Sequence, residues 1–587
     1  MRLRMLTSRG AAAPRAAADS GAPASFETCV RQWGTRLFEL IDKAGAPSIF
    51  SAKGFYAAMM DWAMKDESFK VQLFRFVDVL PALASSREIA RHLEEYLDND
   101  SVKLNPALRV ALKASSFASG LLGGGIKSQV AGMARMFMLG NAPAEIVAIL
   151  KKLDAEGAAF TVDVLGEAVV SEKEADEYAA RYFELLALLG RETAAWPAPS
   201  AGEAGPSGAQ PRVNLSLKVS AFYSQICAAD PDTAVAVLAG RLRPLLRRAR
   251  DLGAFINFDM ESYALKNLTL RLFQTIFAEP EFASGPECGI ALQAYLKDCE
   301  EDLRGLAEWA RRVKRRVTVR LVKGAYWDYE AVIARRAGVP VPVFERKAES
   351  DVNFEKLSLF LLENRDALAA AFASHNVRSI AHALAQAERL GIDRREIEFQ
   401  VLYGMADAIK AALLQAGCRV RMYCPVGELL PGMAYLVRRL LENTSNEGFL
   451  AHAFAKGVAR ETLLRDPAEA AREAAAAPAV VPPEPVTPGA PGFRNEPPLR
   501  LGAAEERDAI RAAFGVLRAR SGARHGLVID GKRVATNDWT PSRNPADQEE
   551  IVGYAASAAV EHADAAAAAA RAAQQAWARR PVEERAR

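Results

Sequence analysis

Two adjacent arginines, Arg438 and Arg439, stand in the apolar segment YLVRRLLEN. At about 100° per residue they share one helix face with Tyr435 and Glu442, while Leu and Val side chains occupy the opposite face. Two guanidinium groups beside an aromatic ring could hold a small carboxylate, because each is a planar fork of N–H donors. A solvated stripe with an i, i+4 pair between Arg438 and Glu442 fits the same spacing. The spacing alone leaves both interpretations open.

A second concentration of chemistry lies in RLVKGAYWDYE, residues 320–330. An apolar strand ends there in a Lys-Gly turn, and Ala, Tyr and Trp follow. Gly324 lets the backbone approach a ligand closely, and the aromatic rings offer stacking surfaces. The turn does not match the glycine fingerprint of a dinucleotide fold or a P-loop. A phosphate-bearing cofactor would therefore need cations, which Lys323, Arg346 and His375 could supply.

The elements that must position these residues follow an alternating pattern. Eight short apolar or β-branched runs are separated by helical segments; the runs are FTVDVLGEAV, VNLSLKVS, FINFDME, GIALQAY, VTVRLVKG, AFASHN, IEFQVLYG and RVRMYCP. This alternation over roughly 265 residues predicts a (βα)8 barrel, whose usual length is about 250 residues. The predicted fold class is α/β, a TIM-like (βα)8 barrel with an all-helical domain before it.

The ends of the predicted strands are polar. They carry Asp163, Glu167, Lys218, Ser220, Asp259, Glu261, Gln293, Arg320, Lys323, Ser374, His375, Asn376, Gln400 and Tyr423. Each residue alone is typical of a solvated loop. Because the catalytic groups of such barrels gather at the carboxyl ends of the strands, the succession favours one ligand site.

Composition shifts divide the chain. The expected parts are a disordered Ala/Pro tail (1–25), a helical domain (26–157), the barrel (158–465) with a mobile Pro/Gly/Ser-rich insertion (193–212), a Pro/Ala-rich linker (466–500) and a separate module (501–587). A targeting peptide is the alternative interpretation of the tail.

Charge and cysteine content exclude several classes of protein. A net charge of +3 over 587 residues does not suggest a nucleic-acid binder. The six cysteines form no CxxC pair, which favours reduced thiols in a cytoplasm over disulfides or a metal site. No apolar run approaches the ~18 residues that span a bilayer.

Taken in order, LGEA, LSLKVSAFYS, NFDME, IALQAYLKD, RLVKGAYWDYE, ASHN, EFQVLYGM and YCPVG followed by YLVRRLLEN resemble the proline dehydrogenase family. The resemblance spans about residues 160–450. The helical leader and the last module are also similar to bifunctional proline utilization A proteins, in which an aldehyde dehydrogenase domain follows. That last module looks like an incomplete, truncated start of the aldehyde dehydrogenase fold. No cysteine follows Cys424, so the NAD-dependent second activity, which needs a Cys nucleophile, is not expected from this chain.

The resemblance implies a flavoenzyme that binds FAD noncovalently, oxidises L-proline to 1-pyrroline-5-carboxylate and passes electrons to a quinone. Residues that match the family's catalytic positions are Lys218, Asp259, Arg320 and Tyr423. Those that match its substrate site are Lys218, Tyr423, Tyr435, Arg438, Arg439 and Glu167, the last as an ion-pair partner of Arg438 over bound substrate. Those that match its FAD contacts are Asp259, Met260, Gln293, Arg320, Val322, Lys323, Gly324, Ala325, Tyr326, Trp327, Arg346, Ser374, His375, Asn376, Gln400, Leu402 and Glu442.

Two other functions fit the same residues. One is a dehydrogenase of a related cyclic amino acid such as hydroxyproline, and the other is a non-catalytic protein that senses proline. The expected location is the cytoplasm, with peripheral contact to a membrane as the route to a quinone. Homo-oligomerisation is left open.

Overall fold

The computed structural model describes residues 25–44, 139–166, 168–197, 211–428, 459–476 and 498–586, together with part of the stretch between 68 and 138. The chain forms two compact units, Met1–Pro498 and Leu499–Arg587. Within the described residues, no helix combines the length and the apolar character needed to cross a membrane.

The first unit is built around a closed barrel of eight parallel strands. The strands are β1 (Ala159–Val164), β2 (Asn214–Leu217), β3 (Phe255–Phe258), β4 (Glu287–Gln293), β5 (Val317–Val322), β6 (Leu368–Ala373), β7 (Glu398–Leu402) and β8 (Arg419–Val426). Each strand pairs with the next, and β1 pairs with β8 to close the barrel. The eight predicted strands and the predicted barrel are therefore confirmed.

Helices connect the strands on the outside of the barrel. They are α4 (Glu172–Ala194), α5 (Pro231–Asp251), α6 (Tyr263–Phe277), α7 (Cys299–Arg312), α8 (Trp327–Ala337), α9 (Lys347–Glu363), α10 (Val377–Arg389) and α11 (Asp407–Gln415). Side-chain caps fix several starts: Ser171 accepts from the amide of Glu174, and Asp230 accepts from that of Thr233. Two helices, α8 and α9, fill the connection between β5 and β6.

The two faces of the barrel strands differ in chemistry. Phe258 of β3 packs edge-on against Phe273 of α6 at 5.4 Å between ring centroids, as expected for the layer between strands and helices. Buried polar side chains meet across the strands instead: Thr161 hydrogen-bonds Ser216 at 3.3 Å, and Glu398 pairs with Arg421. Barrels of this kind usually fill their interior with Val, Ile and Leu. The polar interior here continues into the candidate site.

The helical leader is represented by α1 (Phe26–Ala44), α2 (Ser86–Leu97) and α3 (Pro143–Ala155). Helix α1 packs on α10 and α11. Buried Arg378 of α10 joins the elements, because it donates to Glu27 of α1, to Glu355 of α9 and to the carbonyl of Leu464. The predicted helical character of this region is confirmed for the described residues.

Two short helices follow the barrel, α12 (Arg460–Leu463) and α13 (Pro467–Ala476). Helix α13 lies inside the range 466–500, which the composition predicts to be linker. The segment PAEAAREAAA forms a helix because Ala, Glu and Arg have high helix propensity and Pro suits the first helical position. It packs on α9. Residues 477–497 lie outside the described part.

The second unit is small. It contains α14 (Ala504–Ala519), a hairpin of β10 (Leu527–Ile529) and β11 (Lys532–Val534), a sheet of β9 (Ala523–His525), β12 (Trp539–Asn544) and β13 (Asp547–Ala556), and helices α15 (Val560–Ala578) and α16 (Val582–Arg585). That this unit is the start of an aldehyde dehydrogenase fold stays a prediction.

Candidate active site

A cavity of about 310 Å³ opens at the carboxyl ends of the barrel strands. Its lining residues are Lys218, Asp259, Met260, Ala291, Gln293, Arg320, Val322, Lys323, Gly324, Ala325, Tyr326, Ala373, Ser374, His375, Gln400, Val401, Leu402 and Tyr423. The volume is at the lower end of the ~300–1,000 Å³ typical of small-molecule sites. Most of the strand-end residues predicted from the sequence thus line one space.

Asp259, the residue after β3, is the centre of the hydrogen bonding in this cavity. Its Oδ1 accepts from Arg320 at 2.5 Å and from the side-chain amide of Asn257 at 3.0 Å. Its Oδ2 accepts from the hydroxyl of Tyr423 at 2.8 Å. Burial raises the pKa of Tyr423 well above its usual value, and the carboxylates of Asp163 and Asp259 add to the rise. The phenol therefore stays protonated and donates.

Arg320 is fixed from two sides. Its Nε donates to Oε1 of Gln400 at 2.6 Å, and its guanidinium carbon lies 5.2 Å from the ring centroid of Tyr423. Gln400 in turn donates from Nε2 to Glu398 at 2.7 Å. Since the amide nitrogen faces a carboxylate, the amide oxygen must face Arg320. The guanidinium is held rigidly at the cavity wall.

Glu398 is itself held by Arg421 through two parallel N–H···O contacts of 2.8 and 2.9 Å. Both side chains are almost fully buried. Burial would raise the pKa of Glu398, but the charge and hydrogen bonds of Arg421 outweigh burial and lower it. Glu398 remains ionised, so a buried network runs from Arg421 through Glu398 and the neutral amide of Gln400 to Arg320 inside the barrel.

Lys218 reaches the cavity from the end of β2. Its ammonium donates to both carboxylate oxygens of Asp163, at 2.7 and 2.6 Å, and lies 3.9 Å from Asp259. Its side chain keeps 13% of its surface exposed, whereas that of Asp163 is fully buried. The cation is therefore accessible from the cavity while its partner is not.

The Lys-Gly turn after β5 forms another wall. Gly324 has φ +134°, and a Cβ there would lie 2.6 Å from the ring of Tyr295. Only glycine allows this path of the backbone, as the sequence pattern suggests. Lys323 pairs with Asp351 of α9, which also accepts from Lys347 at 2.5 Å. Burial lowers the pKa of the Lys323 ammonium, and Asp351 opposes this effect.

Three residues predicted to contact the cofactor do not line the cavity. Asn376 caps α10, where its Oδ1 accepts from the amide of Ser379 at 3.2 Å. Trp327 donates to the carbonyl of Phe344 at 2.7 Å. Arg346 lies at the start of α9 beside Glu349. These contacts are structural, so the cofactor role of the three residues stays a prediction.

Five predicted residues lie outside the described part of the chain: Glu167, Tyr435, Arg438, Arg439 and Glu442. The structure therefore does not test the proposed carboxylate site on the arginine pair.

Sequence reasoning missed several members of the site. Ala291, Ala373 and Val401 line the cavity but carry no polar group that would have drawn attention. Ala291 precedes Gln293 by two residues on the same strand. Because residues two apart on a strand point to the same face, this spacing could have predicted that Ala291 lines the cavity. Asp351 and Glu398 act through residues that line the cavity. The partner of Lys323 comes from α9, which no local spacing predicts.

Comparison with known proteins places the chain. The sequence profile described as "Proline dehydrogenase" matches residues 146–452, and that described as "Proline utilization A N-terminal domain" matches residues 27–137. The chain belongs to the proline dehydrogenase family. The barrel, from β1 to β8, lies within the residues matched by the proline dehydrogenase profile.

Relatives and solved structures agree with this placement. The Bifunctional protein PutA of Escherichia coli (strain K12) is 29% identical over 433 residues, which cover 72% of this chain and 32% of that protein. Proline dehydrogenase 1 of Bacillus subtilis (strain 168) is 27% identical over 323 residues, covering 55% of this chain and 91% of that protein. The crystal structure of proline utilization A from Bdellovibrio bacteriovorus is similar, with a TM-score of 0.85 and 42% sequence identity. The match covers 96% of this chain and 56% of that chain. The chain spans about a third of the length of the E. coli relative.

Proposed function

We propose that this chain oxidises L-proline to 1-pyrroline-5-carboxylate with noncovalently bound FAD and delivers the electrons to a quinone. The observation that carries the proposal is the cavity itself. In a chain of the proline dehydrogenase family, Arg320, Asp259, Tyr423 and Lys218 converge beside a Lys-Gly turn at the carboxyl end of the barrel. The reaction is a hydride transfer to the cofactor, so it needs no nucleophilic side chain of the kind that hydrolases use.

The chemistry of the lining supports a flavin. The Oε1 of Gln293 is buried and has no hydrogen-bond partner among the described residues, so a ligand donor such as a flavin N–H would satisfy it. Gly324 lines the cavity, where its backbone packs closely against the ring of Tyr295. Lys323 and His375 offer charge and hydrogen bonding for the diphosphate side of the cofactor. Bound FAD would supply the chemistry of hydride acceptance.

The protein's own groups then have to bind and orient proline. The substrate's strongest handle is its carboxylate. Among the described residues, Lys218 and Lys323 line the cavity with part of their side chains exposed, and Lys218 is the one that lies beside Asp259. Arg320 is rigidly fixed by Gln400 and Asp259, so it can stabilise negative charge with little reorganisation. Tyr423 holds Asp259 on the other side. Positioning rather than covalent catalysis is the protein's contribution.

The family resemblance adds Arg438, Arg439 and Tyr435 to the site that binds the proline carboxylate. It adds Glu167 as an ion-pair partner of Arg438 over the bound substrate. These roles remain part of the proposal. Proline must lose its amine proton before or during hydride transfer, so the rate should climb from neutral to alkaline pH.

The direct test is an assay of the purified protein with L-proline and a soluble quinone analogue. The protein should be yellow, should release intact FAD when denatured and should reduce the quinone only when proline is present. A colourless protein that remains inactive after addition of FAD would contradict the proposal.

A further inference from the structure

Asp163 has no role in the proposed reaction so far, yet it is the most deeply buried carboxylate at the cavity. It lies near the end of β1 and its relative exposure is 0%. Its carboxylate does not line the cavity. Both of its oxygens nevertheless accept from the ammonium of Lys218, at 2.7 and 2.6 Å.

The surroundings of Asp163 explain why this contact dominates. The charged groups that face it are Lys218 from the end of β2 and Asp259 from the end of β3, and Tyr423 reaches it from β8. Tyr178 and Tyr182 of α4 lie behind it. Among these groups Lys218 is the single cation, so it contributes most to offsetting the cost of placing the carboxylate in the interior, and Tyr423 adds a smaller contribution.

Lys218 depends on Asp163 in the same way. A lysine side chain is a flexible four-carbon stem with a point charge at its end, and by itself it does not define a position. Asp259 lies 3.9 Å from the ammonium, beyond hydrogen-bond length, and its oxygens already accept from Arg320 and Tyr423. The two-oxygen contact with Asp163 is the shortest described contact of the ammonium, and it holds the ammonium on the cavity wall.

We propose that Asp163 is the positioning residue for Lys218. It fixes the ammonium at the place where the carboxylate of a cyclic ligand in the cavity would contact the ammonium. This inference rests on the proposed function, because the carboxylate in question is that of proline. Asp163 does not touch substrate and takes no part in hydride transfer. Its effect on the reaction passes chiefly through Lys218, which both of its oxygens contact.

The test compares Asp163→Asn, Lys218→Met and the double variant. Binding is measured by calorimetry with cyclopentanecarboxylate, which has the carboxylate and ring of proline but no nitrogen and so cannot be oxidised. Asp163→Asn keeps the shape of the side chain and should raise both the Kd of this probe and the KM for proline about tenfold, with kcat changed less than about threefold. The double variant should bind the probe no more weakly than Lys218→Met, because the two residues act as one unit.

Asp302→Asn is the matched control. Asp302 also holds a buried lysine, Lys266, at 2.5 Å, but this pair joins α6 and α7 away from the cavity. The control should lose stability and keep the Kd of wild type. If Asp163→Asn does not fold, the double variant can still be compared with Lys218→Met. The double variant leaves neither charge of the pair unpaired, and a lower affinity for the probe than in Lys218→Met would contradict the inference.

An unchanged Kd in Asp163→Asn, or a further loss of affinity in the double variant relative to Lys218→Met, would overturn the inference. Failure of the proposed function gives a different pattern. A wild-type protein that binds the probe but is not reduced by proline refutes the dehydrogenase and leaves the role of Asp163 measurable by Kd. A wild-type protein that neither binds the probe nor is reduced by proline refutes both.

Discussion

At the scale of single residues, the site is a set of charges that neutralise one another. Asp259 stands between Arg320 and Tyr423, and Asp163 stands against Lys218. Each buried charge has an opposite charge or a donor within hydrogen-bond length, as charges in a low-dielectric interior require. The donors that remain directed to the cavity are therefore already fixed before a ligand arrives.

Tyr423→Phe tests the contact to Asp259. The variant removes one hydrogen bond to a carboxylate, which we expect to cost about 1.5 kcal/mol, or roughly tenfold in kcat/KM for proline. The ring that lies against Arg320 is retained, so FAD should stay bound. Tyr403→Phe, a partly buried tyrosine that does not line the cavity, is the control and should keep wild-type kinetics. An unaltered kcat/KM in Tyr423→Phe would contradict a role of this hydrogen bond in the reaction.

The pH dependence of ligand binding tests the ion pair of Asp163. Burial raises the pKa of Asp163 to about 6, although Lys218 lowers it in part. As the pH falls through about 6 the carboxylate gains a proton and the ammonium loses its ionic partner. The Kd for cyclopentanecarboxylate should therefore rise from pH 8 to pH ~6, a range over which the probe's own carboxyl group stays ionised. Calorimetry across this range should give a flat profile for Asp163→Asn, and a flat wild-type profile would contradict the assignment.

At the scale of elements, the strands bring the site together and the helices that follow them take residues away from it. The order of polar strand ends predicts the barrel and most of the cavity lining, because carboxyl ends of parallel strands meet at one side. Adjacency to a lining residue in the sequence no longer predicts a place in the cavity lining where a helix begins. Trp327 and Asn376 directly follow lining residues, but Trp327 begins α8 and Asn376 caps α10.

The remaining part of the site depends on contacts between distant elements. Lys323 of the β5 turn pairs with Asp351 of α9, and Arg320 of β5 is oriented by Glu398 of β7 through Gln400. Spacing within one segment does not encode such pairs, because they form only when the barrel closes. The sequence therefore predicts which residues line the cavity better than it predicts what holds them.

Gly324→Ala tests the role of the β5 turn. Its φ of +134° and the ring of Tyr295 at 2.6 Å from the added methyl would force the backbone to move. FAD affinity, measured by fluorescence titration of the apoprotein, should fall at least tenfold. Gly338→Ala is the matched control, since its φ is also positive, at +68°, but nothing lies within 4 Å. It should cost about 1 kcal/mol of stability and leave FAD affinity unchanged. Equal FAD affinity in both variants would contradict the close approach at Gly324.

At the scale of the whole molecule, the helical leader and the barrel share a buried junction. Arg378 joins α1, α9 and α10, and His382 lies beside it on α10 with the ring of Phe26 packed edge-on at 5.3 Å. Burial and the charges of Arg378 and Arg389 lower the pKa of His382 to about 3. The imidazole is therefore neutral at the junction under all mild conditions.

His382 should make stability depend on pH. Its ordinary pKa is 6.5, so as pH falls below that value the unfolded chain binds a proton that the folded chain binds only near pH 3. The free energy of unfolding should decrease from about pH 6.5 toward pH 3. Urea titrations of wild type and His382→Gln should show a smaller decrease in the variant, and identical slopes would contradict a neutral, buried His382.

The central claim is that the cavity is a flavin site in which proline is oxidised. The most direct measurement is the absorption spectrum of the purified protein, taken anaerobically before and after addition of L-proline. We predict a flavin band that is bleached by proline, is restored by a quinone analogue and is not bleached by cyclopentanecarboxylate. A flavin band that proline leaves unchanged, or no flavin band after incubation with FAD, would contradict the account.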